Sequence, residues 1–381
     1  MTEILGVIFL AGSMAQVTLR DGSQPGSPVE AVSIEGVRMG GALLGLDRVR
    51  SVEGEFAKPW GVIASAADDA WRVRQRFERG DLAGAEVIAE PLLTQLAGRR
   101  GPTVAMVAEV LTRVRVKRGS QTGALESWLA WYDCGNDSEP LPSSFAPDLA
   151  SRRAVLSDRW PTLSIDAASG LLSTLPPIWI NVPSVQAWVR SGEKLREGEE
   201  RRSTAYERLY RSAARFEVDG TPVDVGGLEL KLDGPKLVSE IVIARAGETN
   251  AREAARRDLL KRLEGSPPAW LEAWVRAAVG RSMLKESDPE VRRRGVLHLL
   301  HVPARFSSDS PYLAGIALAE AARALLELGD RDGADVIRAE LLRDHPAHPA
   351  LDWPGVRDWP ARGGPNSVAA PAAGAHAGGT P

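Results

Sequence analysis

The chain has 381 residues, which is long enough for two or three domains that each bury a core. Its formal net charge is −3 and charged residues of both signs are mixed, so the electrostatic signature of a nucleic-acid-binding protein is missing. A single cysteine, Cys134, excludes an internal disulfide and a cysteine metal cluster.

The chain begins with an apolar run at residues 4–15, ILGVIFLAGSMA, which is shorter than the roughly 20 residues of a membrane-spanning helix. Small residues near its end have the spacing that signal peptidase recognises, so residues 1–15 are predicted to be a signal peptide cleaved before Gln16. Export to the periplasm or the extracellular space follows. The acidic start MTE fits this prediction poorly, and a first buried strand of a cytoplasmic protein is the alternative. Mass spectrometry that finds a mature N-terminus at Met1 or Thr2 would reject the cleavage.

Residues 16–58 have the pattern of a small β module. The segments VTLRDG, VEAVSIEGVRM and LLGLDRVRSV alternate apolar and polar residues and are separated by Gly, Pro and Asp. This period of two predicts short antiparallel strands. In length and rhythm the stretch resembles small SH3-like and Sm-like β-barrels, although it has no diagnostic motif. A segment of this size is marginal alone, so we expect it to pack on the helices that follow.

Residues 62–135 change to a helical pattern that we expect to begin at Ala64. Apolar residues recur every three to four positions, and Gly80 and Gly119, which lie 39 residues apart, end two of the helices. A helix–turn–helix unit that recurs at such a period is typical of α-solenoids. We therefore predict two successive helix pairs in this region.

The middle of the chain is less regular. Residues 136–192 contain seven prolines, and their apolar piece LSTLPPIWINVPSVQAWVR predicts an ordered connection that packs on its neighbours. Residues 193–304 return to helical patterns, with a short β-like insertion at 218–235. Residues 305–347 form the clearest helix pair, and the Gly/Ala/Pro tail at 361–381 is predicted to be disordered.

A glycine frame, G-[DS]-x-x-G-A, occurs three times, in RGDLAGAE (79–86), RGSQTGAL (118–125) and LGDRDGAD (328–335). A glycine loop can cradle a phosphate where it connects a strand to a helix N-terminus. Each copy here lies between two amphipathic helices. We therefore predict a helix turn, in which the first Gly ends one helix and the Asp or Ser caps the next.

The last helix pair resembles a tetratricopeptide repeat (TPR), with Ala322 at the helix crossing, Gly329 at the turn, Ala334 early in the second helix and Pro346 after it. The earlier units match through fewer residues, namely Gly80, Ala85, Gly119 and Ala124. Arg338 departs from the family, which prefers an aromatic residue at that position. The resemblance implies a mainly helical, irregular α-solenoid whose members bind peptides or proteins, and it implies no catalytic residue.

Residues that carry chemistry are sparse. The nucleotide-binding, zinc-protease, nucleophile-elbow and C-x-x-C motifs do not occur. Two S-x-x-K pairs, Ser191 with Lys194 and Ser282 with Lys285, lack the further motifs of serine acyl-transfer enzymes and are interpreted as chance matches.

His298 and His301 share a helix face at a spacing that could bind a metal. We interpret the pair as structural because no carboxylate has the matching spacing, and we expect Val302 and Pro303 to end the helix. Trp353 and Trp359, in the repeated D-W-P, are predicted to hold the chain against the end of the helical array. Partner anchors are the alternative for these two residues.

Taken together, these patterns predict a non-catalytic helical-repeat module of the cell envelope or exterior that needs no cofactor or metal. The expected partner is a protein or peptide, with no nucleic acid and no membrane span. One alternative is a hydrolase or transferase with an unrecognised site between residues 136 and 240. Another is a purely structural envelope protein whose groove is filled by its own residues 136–192.

Overall fold

The computed structural model describes residues 15–134, 163, 165–166, 169–191, 203–223, 230 and 232–360. All but one residue of the predicted signal peptide, the first part of the proline-rich region and the predicted disordered tail therefore lie outside the described residues.

The N-terminal β module is present and contains two small antiparallel sheets. The strands are β1 (Val17–Leu19), β2 (Val29–Ser33), β3 (Gly36–Met39), β4 (Ala42–Leu44) and β5 (Val49–Val52). β1 pairs with β5, and β2, β3 and β4 form a meander. Val17, Val37 and Val49 are buried, as the alternating pattern requires.

The β module packs on the helices, as expected for a unit of its size. Thr103, in the first turn of a helix, is one of the polar side chains that connect the two parts. Its hydroxyl donates to the Glu35 carbonyl (2.8 Å) and accepts from the Leu46 amide (3.0 Å). The backbone groups at this junction thereby have partners although they are shielded from water.

Within the described residues, thirteen α-helices follow the β module and are numbered here in chain order. Those of the first half are α1 (Ala57–Glu78), α2 (Leu82–Gln95), α3 (Pro102–Lys117), α4 (Gln121–Cys134) and α5 (Pro183–Ser191). α1 begins seven residues before Ala64, because Pro59 is tolerated in a first helical turn and the buried Trp60 packs from that turn.

Those of the second half are α6 (Thr204–Asp219), α7 (Asp233–Ala246), α8 (Thr249–Lys261), α9 (Ala269–Met283), α10 (Pro289–Phe306), α11 (Pro311–Glu327), α12 (Arg331–Asp344) and α13 (Pro354–Arg357). α10 continues through Pro303 to Phe306, so the expectation that Pro303 ends it is wrong. Proline removes one backbone hydrogen bond, whereas the burial of Val302 and Phe306 keeps the last turn packed.

Successive helices pack against one another along the chain, from α1–α2 through α11–α12. Alternate helices also touch: α1 contacts α3, α7 contacts α9, and α9 contacts α11. We call α7, α9 and α11 the inner helices. The predicted fold class, mainly α with helix pairs in succession and a small N-terminal β module, is confirmed. Among the described helices, none combines the length and apolar character that crossing a bilayer requires.

Candidate functional site

The three glycine frames form helix turns in the structure. Gly80, Gly119 and Gly329 have φ values of 78°, 73° and 86°, which glycine adopts at the end of a helix. The alanines of the frames, Ala85, Ala124 and Ala334, are fully buried, as is Ala322 at the last helix crossing. Pro346 lies directly after α12 and its flanking His345.

In the first and third frames, an aspartate of the chain itself caps the second helix. The Asp81 side chain accepts from the Gly84 amide (2.9 Å) and Asp330 accepts from the Gly333 amide (2.9 Å). These amides are the donors that a phosphate at the helix N-terminus would need. The contacts are therefore those of an N-cap and leave the first-turn amides of α2 and α12 engaged by the chain itself.

The inner helices are covered by residues 169–182, which we call the strap. Its apolar side chains are almost completely buried, namely Leu171, Leu172, Leu175, Ile178, Trp179, Ile180 and Val182. Its carbonyl groups accept hydrogen bonds from aromatic side chains: Tyr206 to Ser169 (2.8 Å), Tyr210 to Leu175 (2.5 Å), Trp274 to Ser173 (3.0 Å) and Tyr312 to Ile178 (3.2 Å). The strap is thus an ordered part of the core.

Arg281 fixes the middle of the strap. Its side chain is 2% exposed and donates to the Trp179 carbonyl (2.7 Å), to both Glu320 carboxylate oxygens (2.7 and 2.8 Å) and to Glu217 (3.1 Å). Arg245 donates to Glu217 as well (2.8 and 3.2 Å). We call these four charged residues and the Trp179 carbonyl the Arg281 network.

The Arg281 network contains two positive and two negative charges. Burial raises the pKa of Glu217, but the charges of Arg245 and Arg281 outweigh it and hold that pKa at about 2. The four residues come from α6, α7, α9 and α11, so one buried ion cluster connects four helices to the strap.

The cavity beside the Arg281 network is small. Glu217, Arg245 and Arg281 line it together with apolar side chains, and its volume is about 10 Å³. That is room for about one water molecule. This cavity therefore offers no support for a substrate site between residues 136 and 240.

The histidine pair makes protein contacts. His301 Nε2 lies 3.1 Å from a Glu272 carboxylate oxygen, and His298 Nδ1 lies 3.5 Å from Arg276. Burial, and then the charge of Arg276, lower the pKa of His298 to about 4. Within the described part of the chain, no group of three His, Cys, Asp or Glu side chains could hold a metal ion.

The other reactive side chains are also placed for packing. Ser282 is buried, and the Lys285 Nζ lies 5.1 Å from the centre of the Phe216 ring, a cation–π contact. Lys194, from the other S-x-x-K pair, lies outside the described residues. Burial raises the pKa of the Cys134 thiol to about 11, so the thiol is a poor nucleophile at neutral pH.

A concave apolar surface lies between α10 and α12, and no strap residue lines it. We call it the outer groove. Its volume is about 530 Å³ and its apolar lining residues are Val296, Leu297, Leu300, Leu325, Val336 and Ile337. Leu297 is 66% exposed and Val336 is 64% exposed. Arg293, Asp330 and Gly333 complete the lining.

The space between α2 and α4 is equivalent to the outer groove but is closed. Four residues before the turn glycine, the three units carry Arg76, Arg115 and Leu325. Arg115 donates to Glu90 (2.9 Å) and to the Gly123 carbonyl (3.0 Å), so that it closes the space between α2 and α4 with polar contacts. Leu325 at the same position leaves the space between α10 and α12 open and apolar. The exchange of arginine for leucine at this position is therefore one difference between the closed and the open space.

The end of the helical array is covered by the C-terminal segment 345–360. Trp359 Nε1 donates to Asp335 on α12 (2.8 Å), and the Trp359 ring lies under the guanidinium groups of Arg331 and Arg338. Trp353 packs against the core. Trp359 therefore covers Arg338, the position at which the chain lacks the aromatic residue of the repeat family.

His348 is the titratable anchor of this segment. Its Nδ1 accepts from the Ala350 amide (3.0 Å), so the proton is on Nε2, which lies 3.0 Å from the Tyr312 carbonyl of α11. Protonation of Nδ1 would remove the acceptor of the Ala350 amide hydrogen bond. Burial chiefly, and the neighbouring His345, keep the pKa of His348 at about 4 despite the bond to Tyr312.

We expect acid to weaken the C-terminal segment. The pKa of His348 is lower in the folded chain (about 4) than in the unfolded chain (about 6.5), so stability is complete above pH 6.5 and falls as the pH drops towards 4. The loss is at most about 3 kcal/mol. Hydrogen exchange of residues 345–357 at pH 7 and pH 4.5 measures it.

The matched variant is His348→Asn, because Asn can still cap the Ala350 amide but does not titrate. His298 titrates in the same range and is unchanged in the variant, so the difference between the two pH profiles isolates His348. Identical profiles for the two proteins would show that His348 is not the cause.

Comparison with known proteins adds no identification. No protein-family model, no curated protein and no solved structure matches this chain.

Proposed function

We propose that this protein is a non-catalytic helical-repeat module, built from irregular TPR-like helix pairs, that binds another protein through the outer groove. One observation supports the proposal most directly: α10 and α12 present an apolar concavity of about 530 Å³ in which Leu297 and Val336 are mostly exposed. Contiguous exposed apolar surface on a folded protein is typical of interaction sites.

The inner helices are a poor alternative for partner binding. The strap buries its apolar side chains there and directs its carbonyl groups to Tyr206, Tyr210 and Trp274. A partner at that surface would have to displace the strap and break the contact between Arg281 and the Trp179 carbonyl. The outer groove is accessible without any such change.

The test is a pair of substitutions at equivalent positions, two residues after the last alanine of the glycine frame. Val336→Asp places a charge in the outer groove, whereas Val87→Asp places the same charge at the equivalent position of α2, where the side chain is 73% exposed. Capture from an extract of the source cells, quantified by mass spectrometry, should recover a partner with the wild-type chain and Val87→Asp. With Val336→Asp we expect the amount of recovered partner to fall at least about tenfold, since residues at the centre of an interface dominate binding.

Recovery of the same proteins by all three chains would contradict the proposal. If none of the three chains recovers a partner, a second candidate function is favoured, that of a purely structural protein of the cell envelope. The strap supports that candidate, because it fills the inner face as a core segment does. Location in the envelope is itself proposed only from residues 4–15.

A further inference from the structure

We propose that the outer groove accepts one amphipathic helix of the partner, about two turns long at the contact, with an acidic flank against α10 and a basic flank against α12. The inference rests on the proposed function and specifies the chemistry of the partner that the same groove selects.

The two walls of the groove are helical stripes. Arg293, Leu297 and Leu300 follow one another at i, i+4 and i+7 along α10, and Gly333, Val336 and Ile337 follow at i, i+3 and i+4 along α12. These are the spacings at which a helix presents one face to another helix. The stripe on α10 spans seven residues, or about 10 Å of helix axis.

The space between the walls suits a third helix. α10 and α12 are each joined to α11 by a short turn, so α11 reverses the direction of α10 and α12 restores it. Two parallel helices with an apolar floor, here Leu325, form a groove into which the side chains of a third helix can interdigitate. Between α2 and α4 the equivalent space is closed by Arg115, so an open groove is not a general property of this fold.

The charges of the two walls are opposite. On α10 the charged lining residue is Arg293, whose ion-pair partner Glu290 is exposed on the same helix, a kind of pair that contributes little. At α12 the charged lining residue is Asp330, the N-cap of that helix, and Glu340 lies one turn after Val336. A partner helix with Glu on one flank and Lys on the other complements both walls at once.

Three stapled helical peptides of about 14 residues test this inference, a length that covers the groove with one turn to spare at each end. They share a leucine face and differ only in their flanks: Glu on one and Lys on the other, Lys on both, or Glu on both. Fluorescence anisotropy gives each Kd for the full chain. We expect the mixed peptide to bind about threefold to fivefold more tightly than either of the others at low salt, with the difference reduced at 1 M salt.

Arg293→Glu is the decisive variant. It makes both walls acidic at an exposed position that is not in the core, so the fold should be kept. The preferred peptide should change from the mixed one to the one with Lys on both flanks. The three peptides should bind Val336→Asp much more weakly and Val87→Asp as they bind the wild-type chain.

Equal Kd values for the three peptides, or an unchanged preference in Arg293→Glu, would overturn the charge assignment. If none of the peptides binds, the inference that the groove accepts a helix is wrong. If the cellular partner is nevertheless lost with Val336→Asp, the proposed function stands and only the chemistry of the partner is wrong. If neither the partner nor the peptides depend on Val336, both proposals fail.

Discussion

Arg281→Met should destabilise the protein by about 3–5 kcal/mol, because it removes one of the two positive charges from a buried cluster that also holds two negative charges. Glu320, which is 4% exposed, would lose both hydrogen bonds that Arg281 donates, and the Trp179 carbonyl would lose its donor. Methionine fills a similar space, so the loss measures charge and hydrogen bonding more than cavity formation. Urea denaturation followed by tryptophan fluorescence measures the effect, because Trp179 contacts Arg281 directly and Trp274 lies on the same helix, α9.

Two further variants separate this explanation from a general sensitivity of the fold. Arg281→Met combined with Glu320→Met removes both charges and leaves the Glu217–Arg245 pair intact, so we expect much of the lost stability to return. Arg323→Met breaks an exposed ion pair with Glu327 on the same inner helix, α11, and should cost less than about 1 kcal/mol. A loss below about 1 kcal/mol for Arg281→Met, or a double variant no more stable than the single one, would contradict the role of the network.

The Arg281 network also explains how a proline-rich segment can belong to the core. An extended chain that covers helices buries carbonyl groups, and each such group needs a donor. The aromatic hydroxyl and indole groups of α6, α9 and α11 and the Arg281 guanidinium supply these donors. The tryptophan and tyrosine side chains of α6, α9 and α11 therefore serve hydrogen bonding as well as packing.

Local patterns were sufficient to predict the helix pairs. The frames at Gly80, Gly119 and Gly329 place a helix end, a cap and a small residue within six positions, and all of these features act over one turn. The sequence D-P-E at 288–290 has the same local character, and the Asp288 side chain accepts from the Glu290 amide (2.8 Å). The start of α1 was predicted seven residues late because Ser65, Asp68 and Asp69, which lie inside α1, are residue types that commonly cap helices.

The place of the strap could not be predicted in the same way. Trp274 and Ser173 are 101 residues apart, and Arg281 and Trp179 are 102 apart, so no periodicity relates them. A signal was nevertheless present: Glu320 is a lone charge in the apolar stretch YLAGIALAEAA, and an isolated charge on a buried stripe needs a partner. Sequence reasoning could find the charge but not which arginine meets it.

The outer groove was also visible in part. The alignment of the three frames shows Arg76, Arg115 and Leu325 at one position, and the exchange of arginine for leucine marks a change from polar to apolar contacts. That leucine forms a groove floor only because α10 and α12 present Leu297 and Val336 on either side of it. The groove therefore depends on how α10, α11 and α12 pack, which the pattern of one helix turn does not determine.

Ala334→Trp should unfold the last helix pair while the rest of the chain stays folded. Ala334 is fully buried early in α12, where α12 packs on α11. An indole at this position requires the two helices to separate. Adding a few methylene groups to a packed core costs up to about 3 kcal/mol, and we expect the indole to cost more. Because each unit of a helical array contacts mainly its neighbours, the damage should remain at the end of the chain.

Hydrogen exchange measured along the chain distinguishes the outcomes. We expect residues 311–357 to lose protection and residues 57–134 to keep it. If the glycine frame served only to bind phosphate, the substitution would abolish phosphate binding and leave the protection of the whole chain unchanged. Ala339→Trp is the matched control, since Ala339 is exposed on the same helix and its substitution should change little. Equal protection in the two variants would show that Ala334 does not hold α12 against α11. Loss of protection at α12 in Ala334→Trp alone would establish that this alanine is required for the close packing of the last pair.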